Sequence, residues 1–175
     1  MTFSKAVTTP APLLEVHADL WNRLITHLRW QGGGVRESGA FLLGRKDTSK
    51  RVITQILPYE ELQADALHDD YVALNALSFA KLWDLCRELG LNVVADVHTH
   101  RFGAGQSPSD RTNPMVALAG HIALIVPRFA QGAVRIHDVN MYVYEGSHRW
   151  QAFTGSDVEA RLRVTAHGGS DHARR

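Results

Sequence analysis

The chain has 175 residues, of which 45% are hydrophobic and 21% charged, and its formal net charge is +1. This length and composition are typical of one globular domain, and the balanced charge gives no reason to expect nucleic acid or a membrane as a partner. The single cysteine excludes a disulfide framework and a zinc site built from several cysteines. Because no signal sequence or long apolar run is apparent, we expect a cytoplasmic protein.

The first part of the chain is predicted to form a helix and a pair of strands. Residues 1–12 are largely polar and are expected to be flexible. Apolar residues at helical spacing predict a helix over residues 13–30, which three glycines end. A continuous apolar run predicts a strand over residues 38–45, and alternation predicts a second strand over residues 51–57.

An acidic stretch and a second helix are predicted next. Residues 58–70 carry five acidic residues without a clear period and are predicted to be a loop, with a substrate-facing insertion as the alternative. Residues 71–89 carry an apolar stripe at helical spacing, and Gly90 follows, which predicts a helix. Cys86 lies beside this stripe and is predicted to be a small buried residue, since the sequence places no base next to it.

The second part of the chain is predicted to be mostly strands. The predicted elements are strands at residues 91–97 and 121–126, a short helix at residues 111–119, and two further strands between residues 134 and 150 with a turn at 145–147. One turn of helix is expected after residue 156, and residues 161–175 are expected to be a frayed tail. Helices interleaved with strands predict an α/β (α+β) domain over residues 13–160, with a mixed β-sheet packed between helices.

The strand at residues 91–97 leads directly into the sequence His-Thr-His. Alternate side chains of an extended chain share one face, so His98 and His100 can bind one common atom. Asp110 follows after a loop of Gly, Ser and Pro that can fold back, and two imidazoles with one carboxylate are the ligand count of a catalytic zinc site. The alternative is an ordinary strand end, with Asp110 as the cap of a helix.

This pattern resembles the signature of a known family. Residues 98–110 read His-x-His-x6-Ser-x-x-Asp, and Glu37 stands upstream on an early predicted strand with Gly44 seven residues later. Together these two motifs resemble the JAMM (MPN-plus, JAB domain) zinc metalloproteases, isopeptidases that remove ubiquitin or ubiquitin-like proteins. The chain departs from the family at Arg101, where a proline is usual, and in a loop that is about one residue shorter. These departures concern the loop on the substrate side and leave the ligands in place.

The resemblance implies an MPN fold, which is related to that of the cytidine deaminases, and a role for each motif residue. One zinc ion per chain would be held by His98, His100 and Asp110. Glu37 would be the general acid/base, although taken alone it reads as a solvated glutamate at a strand start. Ser107 would donate a hydrogen bond to the oxyanion.

The resemblance also implies a substrate and partners. The substrate would be a ubiquitin-like protein or its conjugates, cut after the modifier's C-terminus in deconjugation or precursor processing. Arg101, Phe102 and Gly103 are expected to contact this substrate. Activating and conjugating enzymes are possible partners, because some compact prokaryotic members act beside them in antiviral defence.

Several alternatives stay open or are disfavoured by the residues. A non-catalytic MPN scaffold and a zinc peptidase of another substrate class remain alternatives, although scaffold members have typically lost the ligands. A zinc deaminase would need His-x-Glu and Pro-Cys-x-x-Cys, which one cysteine cannot supply. His121 and His137 are expected near strand cores and not at the metal, and Ser109 is expected to be a turn or cap residue.

Overall fold

The computed structural model describes residues 13–47 and 49–166, so the predicted flexible N-terminus and the last residues of the predicted tail lie outside the described residues. The strands are β1 (Leu13–His17), β2 (Gly39–Lys46), β3 (Lys50–Pro58), β4 (Asn92–Thr99), β5 (Ile122–Val126), β6 (Asn140–Gly146), β7 (Arg149–Phe153) and β8 (Leu162–Thr165). The helices are α1 (Ala18–Gly32), α2 (Tyr59–Leu62), α3 (Ala76–Leu89), α4 (Pro108–Thr112) and α5 (Ser156–Glu159), and short 3₁₀ turns lie at Arg128–Ala130 and Ile136–Asp138.

Within the described residues the strands form one mixed sheet in the order β7-β6-β5-β4-β2-β3-β1-β8. The pairs β1–β3, β1–β8 and β4–β5 are parallel, and the other neighbouring pairs are antiparallel. Strand β4 lies between β2 and β5, so it is paired on both sides. The predicted mixed sheet is therefore confirmed, and the chain is an α+β protein.

Helices cover both faces of this sheet. On one face α1 contributes Leu24 and Leu28 to a core that includes Val97 of β4. On the other face Leu62 of α2 and Leu82 of α3 pack with β2 and β3. Burial of this much apolar surface is the main stabilising contribution to the fold, and it fixes β4 in the middle of the molecule.

Several predicted elements are confirmed to within about two residues. They are the strands at 38–45, 51–57, 91–97 and 121–126, the turn near residue 146, and the turn of helix after residue 156. The two strands predicted between residues 134 and 150 exist but begin later, at Asn140 and Arg149. Cys86 is buried, as predicted.

The predicted helix over residues 13–30 is wrong at its start. Residues 13–17 form β1, which lies between β3 and β8 with Leu14 and Val16 buried on one side. This alternation has period 2, and adjacent leucines concealed it in the sequence. The helix begins at Ala18, where the His17 side chain accepts a hydrogen bond from the backbone N–H of Asp19.

The predicted helix over residues 71–89 also begins later. Asn75 caps α3 by accepting a hydrogen bond from the N–H of Ser78, so residues 71–75 lie outside the helix. The apolar stripe predicted for this helix included Leu77, Leu82 and Leu89. Leu82 is fully buried as predicted, but Leu77 is 73% exposed and Leu89 44% exposed, and the other buried residues of α3 are Ser78 and Cys86. The stripe is therefore confirmed only in part.

Three further predictions are corrected by the structure. The loop at residues 58–70 contains α2 and leads into an isolated bridge between Leu67 and Val72. The helix predicted over residues 111–119 ends at Thr112, because Pro114 disfavours helical backbone in the residue before it. The predicted frayed tail contains β8, which pairs with β1. Among the described helices, none has both the length and the apolar character needed to span a bilayer.

Candidate functional site

Strand β4 ends at the two histidines of the motif. His98 is its next-to-last residue and His100 follows its end, and the backbone N–H of His100 donates to the carbonyl oxygen of Val126 on β5 at 3.0 Å. The two imidazoles point the same way, with 3.0 Å between their Nε2 atoms. His98 is 7% exposed, so the pair lies at the edge of the protein interior.

Helix α4 brings Asp110 to these histidines. Its Oδ1 lies 3.3 Å from Nε2 of His98, and its Oδ2 lies 3.2 Å from Nε2 of His100. Ser107 is the N-cap of α4: its Oγ accepts from the N–H of Asp110 at 3.1 Å, and its own N–H donates to Asp110 Oδ2 at 2.6 Å. Asp110 therefore serves both the capping box and the histidine cluster, so both sequence interpretations describe part of its environment.

The loop between His100 and α4 is anchored to the sheet. The Tyr142 hydroxyl of β6 donates to the carbonyl oxygen of Ala104 at 3.0 Å. Trp150 of β7 donates through Nε1 to the carbonyl oxygen of Arg111 at 3.1 Å. These contacts hold α4, and with it the Asp110 carboxylate, over the end of β4.

Glu37 completes the cluster from the segment before β2. Its Oε1 lies 3.7 Å from Nε2 of His100, and the residue is 8% exposed. Two hydrogen bonds between the neighbouring residues Ser38 and Thr99 set the position of Glu37. Ser38 N–H donates to Thr99 Oγ1 at 3.0 Å, and Thr99 N–H donates to the Ser38 carbonyl oxygen at 2.9 Å. The Glu37 N–H also donates to the carbonyl oxygen of His68 at 3.0 Å.

The donor atoms fit a divalent metal ion. One ligand atom from each of Glu37, His98 and His100 lies within 4.8 Å of the others, a cluster that can hold a metal ion. Zinc bonds of about 2.0–2.1 Å in a tetrahedron place ligand atoms about 3.3 Å apart. The Nε2 atoms of His98 and His100 are 3.0 Å apart, and one Asp110 oxygen lies 3.3 Å from His98 and the other 3.2 Å from His100, which is close to that spacing.

The pKa values of the two carboxyl groups in the cluster are shifted in opposite directions. Burial raises the pKa of Glu37 above its usual value, and the nearby His98 and His100 offset only part of this effect. Burial also raises the pKa of Asp110, but hydrogen bonds from His100 and His98 outweigh it and hold that pKa well below its usual range. The pKa of Glu37 is thus shifted upward and that of Asp110 downward.

The residues expected to contact substrate line a cleft beside the cluster. Arg101, Phe102 and Gly103 are exposed, with Phe102 at 80%, and they border a cleft that also includes Glu37 and Ser107. A second cleft is lined by His98 and Asp110 and shares Glu37 and Ser107 with the first.

A left-handed turn at Arg128–Ala130 fixes the backbone of the loop that follows His100. Three consecutive residues have positive φ, between 51° and 59°, which is rare outside glycine. The Phe129 N–H donates to the His100 carbonyl oxygen at 2.8 Å, and the Arg128 N–H donates to the Phe102 carbonyl oxygen at 3.2 Å. Strained backbone of this kind is concentrated at functional sites.

Of the predictions about other polar residues, one is confirmed and two are wrong. His121 is buried beside Asp96, outside the candidate metal cluster. His137 is not near a strand core: it lies in a 3₁₀ turn, about half exposed, with its Nδ1 3.7 Å from Glu159. Ser109 is neither a turn nor a cap residue: it lies within α4, whose N-cap is Ser107, and its Oγ accepts from the Asn113 side chain at 3.4 Å.

The residues that position the motif are not apparent from the sequence. Ser38 and Thr99 are adjacent to motif residues, but their pairing joins segments 61 residues apart and has no local signal. A buried network of Asp96, Tyr59 and His121 next to the cluster was missed for the same reason. The one available sign was the acidic residue inside an otherwise apolar strand.

Comparisons with known proteins support the fold. No protein-family model matches the chain. The solution structure of protein DSY2949 from Desulfitobacterium hafniense matches 93% of this chain and 100% of its own, with a TM-score of 0.66 and 12% identity. A solution structure of a protein from Salinibacter ruber matches 92% of this chain and 95% of its own, with a TM-score of 0.53 and 16% identity. At these identities the similarity concerns the fold alone.

Proposed function

We propose that this protein is a JAMM-type zinc metalloprotease with an MPN (JAB) fold that cleaves after the C-terminus of a ubiquitin-like protein. The observation that supports this best is the convergence of Glu37, His98, His100 and Asp110 from three separate segments of the chain. A scaffold that only binds partners would have no need to hold this donor set together. The mixed sheet with helices on both faces is compatible with the proposed fold.

In this proposal one zinc ion is held by His98, His100 and Asp110. When bound, zinc lowers the pKa of a water molecule to about 7 and polarises a carbonyl group. The ionised Asp110 supplies the anionic ligand, and its hydrogen bond from the Ser107 N–H fixes its orientation.

Glu37 then carries protons during amide hydrolysis. It takes a proton from the attacking water and passes it to the leaving amine. Its raised pKa suits this role, because a general acid/base is most effective when its pKa lies near the working pH. The hydrogen bonds between Ser38 and Thr99 keep the Glu37 carboxyl group beside His100 during the reaction.

Ser107 stabilises the oxyanion. Its Oγ already accepts a hydrogen bond from the Asp110 N–H, so the hydroxyl proton can be donated elsewhere. Ser107 borders both clefts next to the cluster, where the reacting carbonyl would lie. A positioned donor of this kind stabilises charge that develops in the transition state.

The proposed substrate is a modifier joined to a target protein or a modifier precursor. Its flexible C-terminal tail would enter the cleft at Arg101, Phe102 and Gly103, where exposed groups are available for contact. Activating and conjugating enzymes for the same modifier are proposed partners, in the cytoplasm.

The metal assignment is tested by measuring zinc in the purified protein. We expect one zinc ion per chain, and we expect His98→Ala and Asp110→Ala to lower occupancy strongly. Glu37→Gln is the matched control, because the structure allows either Asp110 or Glu37 to be the third ligand. Full occupancy in Glu37→Gln with loss in Asp110→Ala supports the proposed ligand set. The reverse pattern would make Glu37 the ligand, and equal zinc in every variant would exclude the site.

A further inference from the structure

A buried polar network lies beside the candidate metal ligands and takes no part in the proposed reaction. Asp96 of β4 accepts a hydrogen bond from the Tyr59 hydroxyl at 3.2 Å through Oδ2, and its Oδ1 lies 2.5 Å from Nε2 of His121. The exposed fractions of Asp96, Tyr59 and His121 are 1%, 0% and 5%. Helix α2, strand β4 and the residue before β5 each supply one member.

Such a network is costly to build in a protein interior. A carboxylate loses its hydration on burial, and only well-placed partners compensate for the loss. The surroundings are apolar, since the Phe41 ring packs edge-on against Tyr59 with 5.0 Å between centroids. Apolar side chains of similar size often fill such a space with equal or better stability.

The register of β4 aims Asp96 at that cluster. Asp96 and His98 are alternate residues of one strand, so their side chains share a face and start about 7 Å apart. They pair with Phe41 and Gly39 of β2, and Asp96 borders the same cavity as His98, Glu37 and Asp110. Both oxygens of Asp96 are engaged by His121 and Tyr59. It therefore faces the cluster as a fixed charge and not as a ligand.

We propose that Asp96, held in place by His121 and Tyr59, is an outer anion of the metal centre that strengthens binding of a divalent cation without coordinating it. A dication held by two neutral imidazoles and one carboxylate keeps one uncompensated positive charge. Charges in a buried, poorly hydrated region interact more strongly and are screened less by salt than charges at the surface. This inference rests on the metal site of the proposed function and is independent of the substrate.

The test compares the zinc affinity of two variants that each remove one carboxylate from the same cavity. Asp96→Asn keeps the shape and an acceptor oxygen but removes the buried charge, and we expect zinc affinity to fall about 10–100-fold in competition with a chelator. Asp70→Asn is the matched control, because Asp70 borders the same cavity but is exposed. Its charge is screened by solvent, so we expect an affinity close to that of the wild type.

Thermal unfolding with and without zinc separates this role from a structural one. A ligand that binds only the folded state raises Tm by mass action. We expect Asp96→Asn without zinc to unfold near the wild-type temperature and to show a smaller rise when zinc is added. A variant with lowered Tm but wild-type zinc affinity would mean that Asp96 only stabilises the fold, and the inference would be wrong.

The remaining outcomes separate this inference from the proposed function. Wild-type affinity in Asp96→Asn together with loss of zinc in Asp110→Ala would refute the outer-anion role and leave the metal site intact. Equal losses in Asp96→Asn and Asp70→Asn would refute a specific role for the buried charge. A wild-type protein that binds no zinc would refute both proposals.

Discussion

At the scale of single residues, the two carboxyl groups of the cluster differ in their environments. Asp110 accepts hydrogen bonds from a helix cap and lies between two imidazoles, which favours its ionised form. Glu37 is buried without such a cap, and burial favours its protonated form. Two carboxyl groups with opposite biases are the usual basis for assigning one to binding and the other to proton transfer.

The first prediction at this scale concerns Glu37. We expect Glu37→Gln to retain zinc and fold while turnover falls by about 10²–10⁴-fold or more, because the amide keeps the shape but cannot carry a proton. The measurement is the rate of cleavage at saturating substrate, with zinc content determined on the same sample. Hydrolysis at the wild-type rate would make Glu37 a structural residue and place the base elsewhere.

The second prediction concerns Ser107, whose two roles must be separated. Removing one oxyanion donor typically costs about 3 kcal/mol in the transition state, so we expect Ser107→Ala to lose less turnover than Glu37→Gln if the latter reaches the upper end of its range. The same change removes the N-cap of α4, which costs about 1 kcal/mol of stability. Ser107→Thr retains both hydroxyl and cap and is the control. If Ser107→Ala lowers zinc content as strongly as turnover, its effect acts through Asp110 instead.

The site could be predicted from the sequence only where its geometry is local. His98 and His100 share a face because of strand periodicity, and that follows from spacing alone. The partners of the cluster are tertiary: Thr99 meets Ser38, and Asp96 meets His121, across sequence separations of 61 and 25 residues. Resemblance to a family pointed to Glu37, but no periodicity could place it beside His100.

At the scale of elements, one glycine of the upstream motif has a clear packing role. Gly44 lies in β2 where the register with β3 shifts by one residue. A Cβ atom there would overlap the backbone carbonyl of Val52, which cannot move aside as a flexible side chain could. Close approach of two backbones explains why glycine stands at this position.

The third prediction follows from this contact. We expect Gly44→Ala to lower the free energy of unfolding by about 1–3 kcal/mol, because the strands must separate to admit a methyl group. Gly105→Ala is the control: its position has open space around it, and we expect a change within about 0.5 kcal/mol. Chemical denaturation of both variants provides the comparison. Equal stability of the two would show that β2 and β3 are not packed as closely as described.

Helices and strands were predicted well where the segment is buried along its whole length. Buried strands such as β4 and β5 are continuous apolar runs and were identified nearly to the residue. Strand β1 was missed because apolar residues just before an amphipathic helix extend its pattern, and only parallel pairing with β3 and β8 makes them a strand. The start of α3 was misplaced because the cap at Asn75 outweighs the apolar residues before it.

At the scale of the whole molecule, the sheet brings the cluster together next to two clefts. Strand β4 is flanked by β2 and β5 and runs antiparallel to β2. The segment before β2, with Glu37, and the loop after β4 therefore meet at the same end of these strands. Both clefts include Glu37 and Ser107. Under the proposed function, both clefts offer surface to the substrate next to Glu37 and Ser107.

The last prediction concerns the substrate that fits this arrangement. Exposed groups at Arg101 and Phe102 offer contact area at the mouth of one cleft, while Gly103 and Gly105 have open space around them and add no bulk. The proposed JAMM-type function implies a tail with small residues at the cut, as in the family that the motif resembles. Most of the binding energy should then come from the surface of a folded modifier.

We expect efficient cleavage of a ubiquitin-like protein fused to a reporter, and poor cleavage both of its isolated tail peptide and of a fusion with bulky residues at the cut. Phe102→Ala should raise KM for the fusion more than it changes kcat, because it removes a contact remote from the reacting bond. Efficient cutting of the isolated peptide, or indifference to bulk at the cut, would instead identify a general zinc peptidase.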